Sequence, residues 1–258
     1  MRIFKNKREV ALALGGGAVL GSAHIGVLKA IEELHIKVVA VSGTSVGALV
    51  GALFAFGKHW HEIEKIAMSL NWLDIASVTL TKGGILSNDK ITKMMRKELG
   101  NVKIENSPIP LSMVAVDIVT GEKVVIVSGS VADGVRGSSC IPGVFAPVEM
   151  NGHLLVDGGV IENVPLSPHI DAGLKNIVGV DLISNIHFKK PKNVLDVLVN
   201  SLGIALKNAT RLETRTADLM ITPDLTGFNM IDSKQVPRLI EAGFNAAHPV
   251  LLEKFGEP

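Results

Sequence analysis

The spacing of apolar residues changes character several times near the start of the chain. EVALAL, residues 9–14, is an apolar run after one charge, and it leads straight into glycines. A short continuous run bounded by glycine suits a buried strand. Residues 22–34 then place Ile25, Leu28, Ile31 and, less regularly, Leu34 at helical spacing. KVVAVSG, 37–43, reads as a second buried strand, and VGALVGALFAFG, 46–57, as an apolar helix closed by Gly57. Strand, glycine loop, helix, strand, tight turn, helix is the alternation of a parallel sheet covered by helices.

Further strands are expected at 111–117, 123–129, 153–159 and 176–182, with a last short one at 219–223. Helices are expected near 60–70, 88–99, 130–138, 193–216 and 233–254. No linker, repeat or low-complexity segment interrupts the chain, so one domain over 1–258 is the expectation. Residues 71–87, with weak periodicity and a Gly-Gly pair, read equally as a flap or as a long connection. Trp60, Ile63, Ile66, Ala67 and Leu70 form an apolar stripe, with Trp72 and Leu73 beyond. Packing against the sheet is the preferred reading of that stripe, and an interfacial membrane patch is the alternative.

Composition narrows the classes. The 258 residues are 47% apolar, enough for a sizeable core in one α/β domain. Lys and Arg number 26 against 25 Asp and Glu, so nothing electrostatic argues for a nucleic-acid partner. The KKPK run at 189–192 reads as a solvated loop. Cys140 is the single cysteine, so no intramolecular disulfide forms, in keeping with a reducing compartment. It reads as a small buried packing residue. No signal peptide and no run long enough to cross a membrane is read. A cytoplasmic location is expected, with peripheral contact at a membrane surface left open.

The candidate chemistry begins at GTSVG, residues 43–47. A buried strand precedes Ser45 and an apolar helix follows it, the setting of a nucleophile elbow. Side chains at Gly43 and Gly47 would collide with neighbouring backbone in so tight a turn. The bland reading is a polar turn with Thr44 or Ser45 as N-cap. A serine nucleophile needs a base. His169, His187 and His248 follow Ser45 in the order of an α/β-hydrolase triad, but none has a distinctive setting. His59 and His61, two apart, make a poor metal pair, and no metal or cofactor is expected. His24, on the first helix beside the glycine loop, suits a structural role. Asp157 ends the apolar strand of LLVDGGVIENVPL, where sites form on parallel sheets, although an Asp capping a turn is an equal reading. The loop GGGAVLG, 15–21, fits neither the dinucleotide fingerprint nor a P-loop. A glycine loop of this kind can also present backbone N–H groups to a developing oxyanion.

Four blocks occur in order: the glycine loop with AHIGVL behind it, GTSVG, SSCIPGVFAPV and LLVDGGVIENVP. On these the chain resembles the patatin-like phospholipases, and within them the bacterial, neuropathy-target-esterase-related branch. The resemblance covers about residues 9–225, leaving a helical segment at about 226–258. It implies a three-layer α/β/α sandwich with a mostly parallel central sheet. It also implies a Ser–Asp dyad without a catalytic histidine, with Ser45 as nucleophile and Asp157 as base. Gly16, Gly17 and Ala18 would bind the oxyanion, and the substrates would be acyl esters of lipids. Two positions depart from the family pattern. Leu20 stands where the family often has Arg, and Ala18 replaces a glycine. The alanine is neutral for a backbone donor provided its φ is negative. The lost guanidinium bears on turnover rate and on preference for anionic head groups. The alternatives are an acyltransferase-type enzyme with a histidine base, and a lipid- or acyl-binding regulatory protein with weakened catalysis.

Overall fold

The alternation at the start of the chain builds the middle of the sheet. The computed structural model describes residues 8–70, 77–80, 86–186, 190–191, 194–213, 216–230 and 232–258. Strand β1 (Glu9–Leu14) is followed by a 3-10 turn (Ala18–Gly21) and helix α1 (Ser22–Glu33). Strand β2 (Lys37–Thr44) leads into α2 (Val46–Ala55), and α3 (Trp60–Ser69) follows. Next come strands β3 (Ser77–Leu80) and β4 (Leu86–Ser87), α4 (Asp89–Leu99), β5 (Leu111–Asp117), β6 (Lys123–Ile126) and α5 (Val131–Ser138). The remaining elements are β7 (Val148–Met150), β8 (His153–Asp157), α6 (Ser167–Asp171), β9 (Ile177–Val180), α7 (Val194–Glu213), β10 (Leu219–Ile221) and α8 (Val236–Phe255).

The main sheet pairs in the order β10-β9-β1-β2-β5-β8-β7, with β6 also on β5. From β10 to β5 every pairing is parallel. The β5–β8, β7–β8 and β5–β6 pairings are antiparallel. Parallel neighbours need helical crossovers, which α1, the helices between β2 and β5, and α7 supply. Short turns supply the antiparallel β5–β6 and β7–β8 pairs. Strand β7 joins β8 through Asn151-Gly152, both at positive φ (51° and 82°), the backbone that a two-residue hairpin demands.

Strand β5 organises the ends of its neighbours. Val41–Thr44 of β2 lie beside 111–114, and 155–157 of β8 lie beside 115–117. Strand β6 pairs with 113–116, overlapping both sets. A strand has two edges, so β2 and β8 share the edge opposite β6. They approach from opposite directions, and Thr44 and Asp157 stop beside the adjacent residues Val114 and Ala115.

The core holds the apolar faces expected of these elements. In α1, Ile25, Val27, Leu28 and Ile31 are buried. Helix α8 packs on α1 at close range: a Cβ on Gly243 would fall 2.0 Å from the Ala23 carbonyl oxygen. In α3, Ile63, Ile66 and Ala67 are buried, and Trp60 and Leu70 pack partly against the same core. That stripe therefore packs inward, onto helices α1 and α2 rather than directly on the sheet. Trp72 and Leu73 lie outside the described residues. So does the expected flap or connection at 71–87, apart from the antiparallel β3–β4 pair.

Candidate functional site

Ser45 stands between β2 and α2 with φ 56° and ψ −123°. Positive φ is unfavourable for a residue with a Cβ, and such strain persists only where the surroundings enforce it. Here the enforcement is steric. A Cβ on Gly43 would lie 2.5 Å from the Ala48 backbone nitrogen, and one on Gly47 would lie 2.0 Å from the Leu14 carbonyl oxygen. The expected collisions are both present. Ser138 adds a clamp: the Ser45 N–H donates to its Oγ at 3.0 Å, and that hydroxyl donates to the Val114 carbonyl at 2.6 Å. The capping reading does not hold for the side chains. Ser45 occupies the N-cap position of α2 without a side-chain capping bond, and the Thr44 hydroxyl donates instead to the Glu162 carbonyl at 3.0 Å.

Asp157 arrives from the other side of the join on β5. Its N–H donates to the Cys140 carbonyl at 2.8 Å. Its Oδ1 accepts the Gly159 N–H at 2.9 Å, so the residue does cap a turn. It lines the same cavity as Ser45, whose side chain is near enough to oppose part of the rise in its pKa. Burial pushes its pKa up to about 6, against the opposing pull of the Gly159 N–H and the nearby Ser45 side chain. An Asp so placed is a better base than an exposed one and is still mostly ionised near neutral pH.

The glycine loop lies directly against this pair. A Cβ on Gly16 would come 3.3 Å from the Ser45 Cβ. The Gly16 N–H donates to the Asn163 carbonyl at 3.3 Å. The N–H groups of Gly17 and Ala18 have no protein acceptor among the described residues. Ala18 has φ 52°. The condition of a negative φ is therefore not met, and the alanine carries backbone strain that a glycine would avoid. Leu20 is fully buried in the core. Arg136 is no replacement for a loop arginine: its guanidinium pairs with Asp89 at 2.7 Å.

Ser45, Asp157 and the loop open on a cavity of about 140 Å³. Its walls are largely apolar, with Ile141, Val160, Ile183, Ile186, Leu206 and Met230 among them. Asn163 also lines it and had no place in the sequence reading. The only hint was its position in IENVP, directly after the DGG turn.

The histidines are occupied elsewhere. His24 is buried, its Nε2–H donates to the Gly15 carbonyl at 2.7 Å, and burial pushes its pKa down to about 4. That is the structural role expected of it. His169 Nε2 lies 2.9 Å from the Ser42 Oγ and 3.1 Å from the Leu12 carbonyl oxygen, and burial also pushes its pKa down to about 4. His248 lies against Phe244, the two rings tilted with centroids 5.1 Å apart. None of these lines the cavity, and His187 lies outside the described residues. Cys140 is buried, its Sγ donates to the Ala146 carbonyl, and burial pushes its thiol up to about 12, as befits a packing residue. Among the described residues no group of three His, Cys, Asp or Glu side chains is placed to hold a metal ion. No helix among them is long and apolar enough to cross a membrane.

Known proteins match this arrangement. The profile of the patatin-like phospholipases matches residues 12–170. An uncharacterised NTE family protein of Mycobacterium bovis is 40% identical over 62% of this chain and 45% of its own length. The Neuropathy target esterase of Drosophila melanogaster is 33% identical over 67% of this chain and 13% of its own. A lysophospholipase of Cryptococcus neoformans is 31% identical over 68% and 11%. The chain thus spans less than half the length of these curated relatives. Two solved structures share the fold at 15% identity. VipD from Legionella pneumophila has a TM-score of 0.55 over 95% of this chain and 67% of that one. ExoU, in its complex with SpcU from Pseudomonas aeruginosa, has 0.56 over 96% and 51%. Ordered motifs, an α/β fold with a central sheet flanked by helices, and matching sequence converge: the chain belongs to the patatin-like phospholipase family.

Proposed function

We propose that this chain is a serine acyl hydrolase that cleaves acyl esters of lipids through a Ser45–Asp157 dyad. The observation that carries the reading is Ser45, held on a strained turn and sharing one cavity wall with Asp157, a buried carboxyl with a raised pKa. Asp157 takes the Oγ proton as Oγ attacks the ester carbonyl carbon. The N–H groups of Gly17 and Ala18 receive the oxyanion, while Gly16, whose N–H is turned to Asn163, shapes the loop. Collapse breaks the bond to the alcohol, which leaves with the proton from Asp157. The same carboxylate then deprotonates a water, which attacks the acyl-serine and frees the fatty acid.

The apolar cavity suits an acyl chain. The names of the relatives, an esterase and a lysophospholipase, make phospholipids and lysophospholipids the first substrates to try. Peripheral contact with a lipid surface is part of the proposal. Val160 on the cavity wall, its neighbour Ile161, and Val197 and Ile204 on the cavity-lining helix α7 are all more than a third exposed. The acyltransferase-type alternative has no support from His24, His169 or His248, which are held away from the cavity.

The decisive experiment is a panel of phospholipid, lysophospholipid and simple acyl esters with wild type beside Ser45→Ala and Asp157→Asn. Both variants are expected to fold and to lose hydrolysis. Fluorophosphonate labelling of wild type but not of Ser45→Ala would identify the nucleophile. Full activity in Asp157→Asn would sink the dyad.

A further inference from the structure

Asn163 sits where the loop after β8 meets the glycine loop. Its carbonyl accepts the Gly16 N–H at 3.3 Å. Its Oδ1 is wedged between two glycine segments: a Cβ on Gly16 would fall 2.8 Å from it, and one on Gly159 would fall 3.3 Å away. The residue is only 4% exposed, yet it lines the same cavity as Ser45 and Asp157. Its Nδ2 is buried and has no protein acceptor among the described residues. Buried polar groups are paired in the great majority of cases, and leaving one unpaired costs about 1–3 kcal/mol. An unpaired donor on a residue that lines a substrate cavity is explained if its acceptor arrives with the substrate.

We propose that the Asn163 side-chain amide is a further donor to the reacting acyl group, hydrogen bonding through Nδ2 to the carbonyl oxygen as it becomes the oxyanion. The inference rests on the hydrolase reading above. It accounts for an exchange within the loop. The Asn163 carbonyl occupies the Gly16 N–H and so removes one backbone donor from those facing the cavity. The Asn163 side chain then restores one. The wedge between Gly16 and Gly159 also limits rotation of the amide, so the donor is oriented before substrate binds. Asparagine suits the task for an electrostatic reason. An Asp in its place would put a second carboxylate into the cavity that Asp157 already lines.

The test compares the full chain as wild type, Asn163→Ala, Asn163→Asp and Ser45→Ala. The substrates are a short p-nitrophenyl ester and lysophosphatidylcholine, and thermal unfolding is followed in parallel. Loss of an oxyanion donor lowers kcat by about 100–1000-fold, with KM little changed. Because Nδ2 bonds to no protein group, Asn163→Ala is expected to melt no lower than wild type. Asn163→Asp is expected to lose activity too, and to move the acid limb of its residual rate to higher pH, because a neighbouring carboxylate disfavours ionised Asp157. A purely structural role would instead lower activity and melting temperature together in Asn163→Ala. Wild-type kcat in Asn163→Ala, with Ser45→Ala inactive, overturns the proposal. So does an activity loss in Asn163→Ala that tracks a fall in its melting temperature. Activity in Ser45→Ala equal to wild type would instead remove the hydrolase reading on which the proposal rests.

Discussion

Ser45 meets Asp157 because β2 and β8 end head to head on one edge of β5, where Thr44 and Asp157 lie beside the consecutive residues Val114 and Ala115. Two groups far apart in the chain are thus set by the register of a single strand. Ser138, at the end of α5, braces the same point by bonding both the Ser45 N–H and the Val114 carbonyl. The join is set by strand pairing and braced by one short, buried side chain, so its position does not depend on long flexible ones.

The turn itself can be tested through Gly47. Its missing Cβ leaves room for the Leu14 carbonyl oxygen, which would otherwise be 2.0 Å away. Gly47→Ala must displace either β1 or the start of α2. It is expected to destabilise the fold by roughly 2–4 kcal/mol and to abolish hydrolysis. Gly57→Ala is the control. Gly57 has φ 88° with nothing within 4 Å of the added Cβ, so only backbone strain of about 1 kcal/mol follows. Activity should survive there. Equal melting temperatures and equal rates for the two variants would show that the tight approach at Gly47 does not hold the turn.

Activity should rise with pH through about 6 as Asp157 ionises, and level off above it. The stability effect runs the other way. The pKa in the folded state is raised from 3.8, so the folded state holds its proton more tightly than the unfolded chain. That contribution is fully present below about 3.8 and is lost as pH rises through about 6. Near neutral pH the ionised carboxylate therefore costs up to about 3 kcal/mol. Asp157→Asn should abolish hydrolysis and raise the melting temperature near pH 7.5, with little gain near pH 4. Melting curves at the two pH values decide it. A melting temperature for Asp157→Asn no higher than that of wild type near pH 7.5 would mean that Asp157 is not a strained group.

Much of this architecture could be read from residue patterns, and the exceptions have physical reasons. Buried strands such as LSMVAVD and amphipathic helices such as α4 are periodic enough to be found within a residue or two. Strand β7 has three residues, too few to show a period, and its one signal was the Asn151-Gly152 hairpin dipeptide. Helix α6 has five residues, which is again too short. Ser45 and Asp157 were legible because each carries its own glycines. Ser138 and Asn163 were not, since a buried polar residue reveals its partners, or their absence, only once the chain has folded. The φ of Ala18 was likewise a property of the loop rather than of the residue type.

Leu20 marks the position where the family often carries arginine, and its burial decides what restoring that arginine would do. Leu20 is fully buried among Val19, Ala23 and other core residues. A guanidinium there would lose its hydration in an apolar setting, at a cost of several kcal/mol. That is a large share of the roughly 5–15 kcal/mol that stabilises a typical domain. Leu20→Arg is expected to lower the melting temperature sharply or to prevent soluble expression, without raising turnover. A folded and faster Leu20→Arg enzyme would show that this side chain can swing toward the cavity.

Ala18 offers the opposite outcome at a neighbouring position. Its φ of 52° places an L residue in the left-handed region, where the Cβ crowds the following carbonyl. Glycine adopts that conformation without penalty but is freer in the unfolded chain, and the two effects oppose each other. Where φ is positive the strain is the larger, so Ala18→Gly should stabilise the fold by about 0.5–1 kcal/mol. The N–H that would face the oxyanion is unchanged by the substitution, so kcat should stay within about threefold of wild type. Urea unfolding together with ester hydrolysis checks both parts. A clear loss of stability would show that the alanine methyl contributes packing worth more than the strain it brings. A large fall in kcat at unchanged stability would show instead that the methyl stiffens the loop that presents the donors.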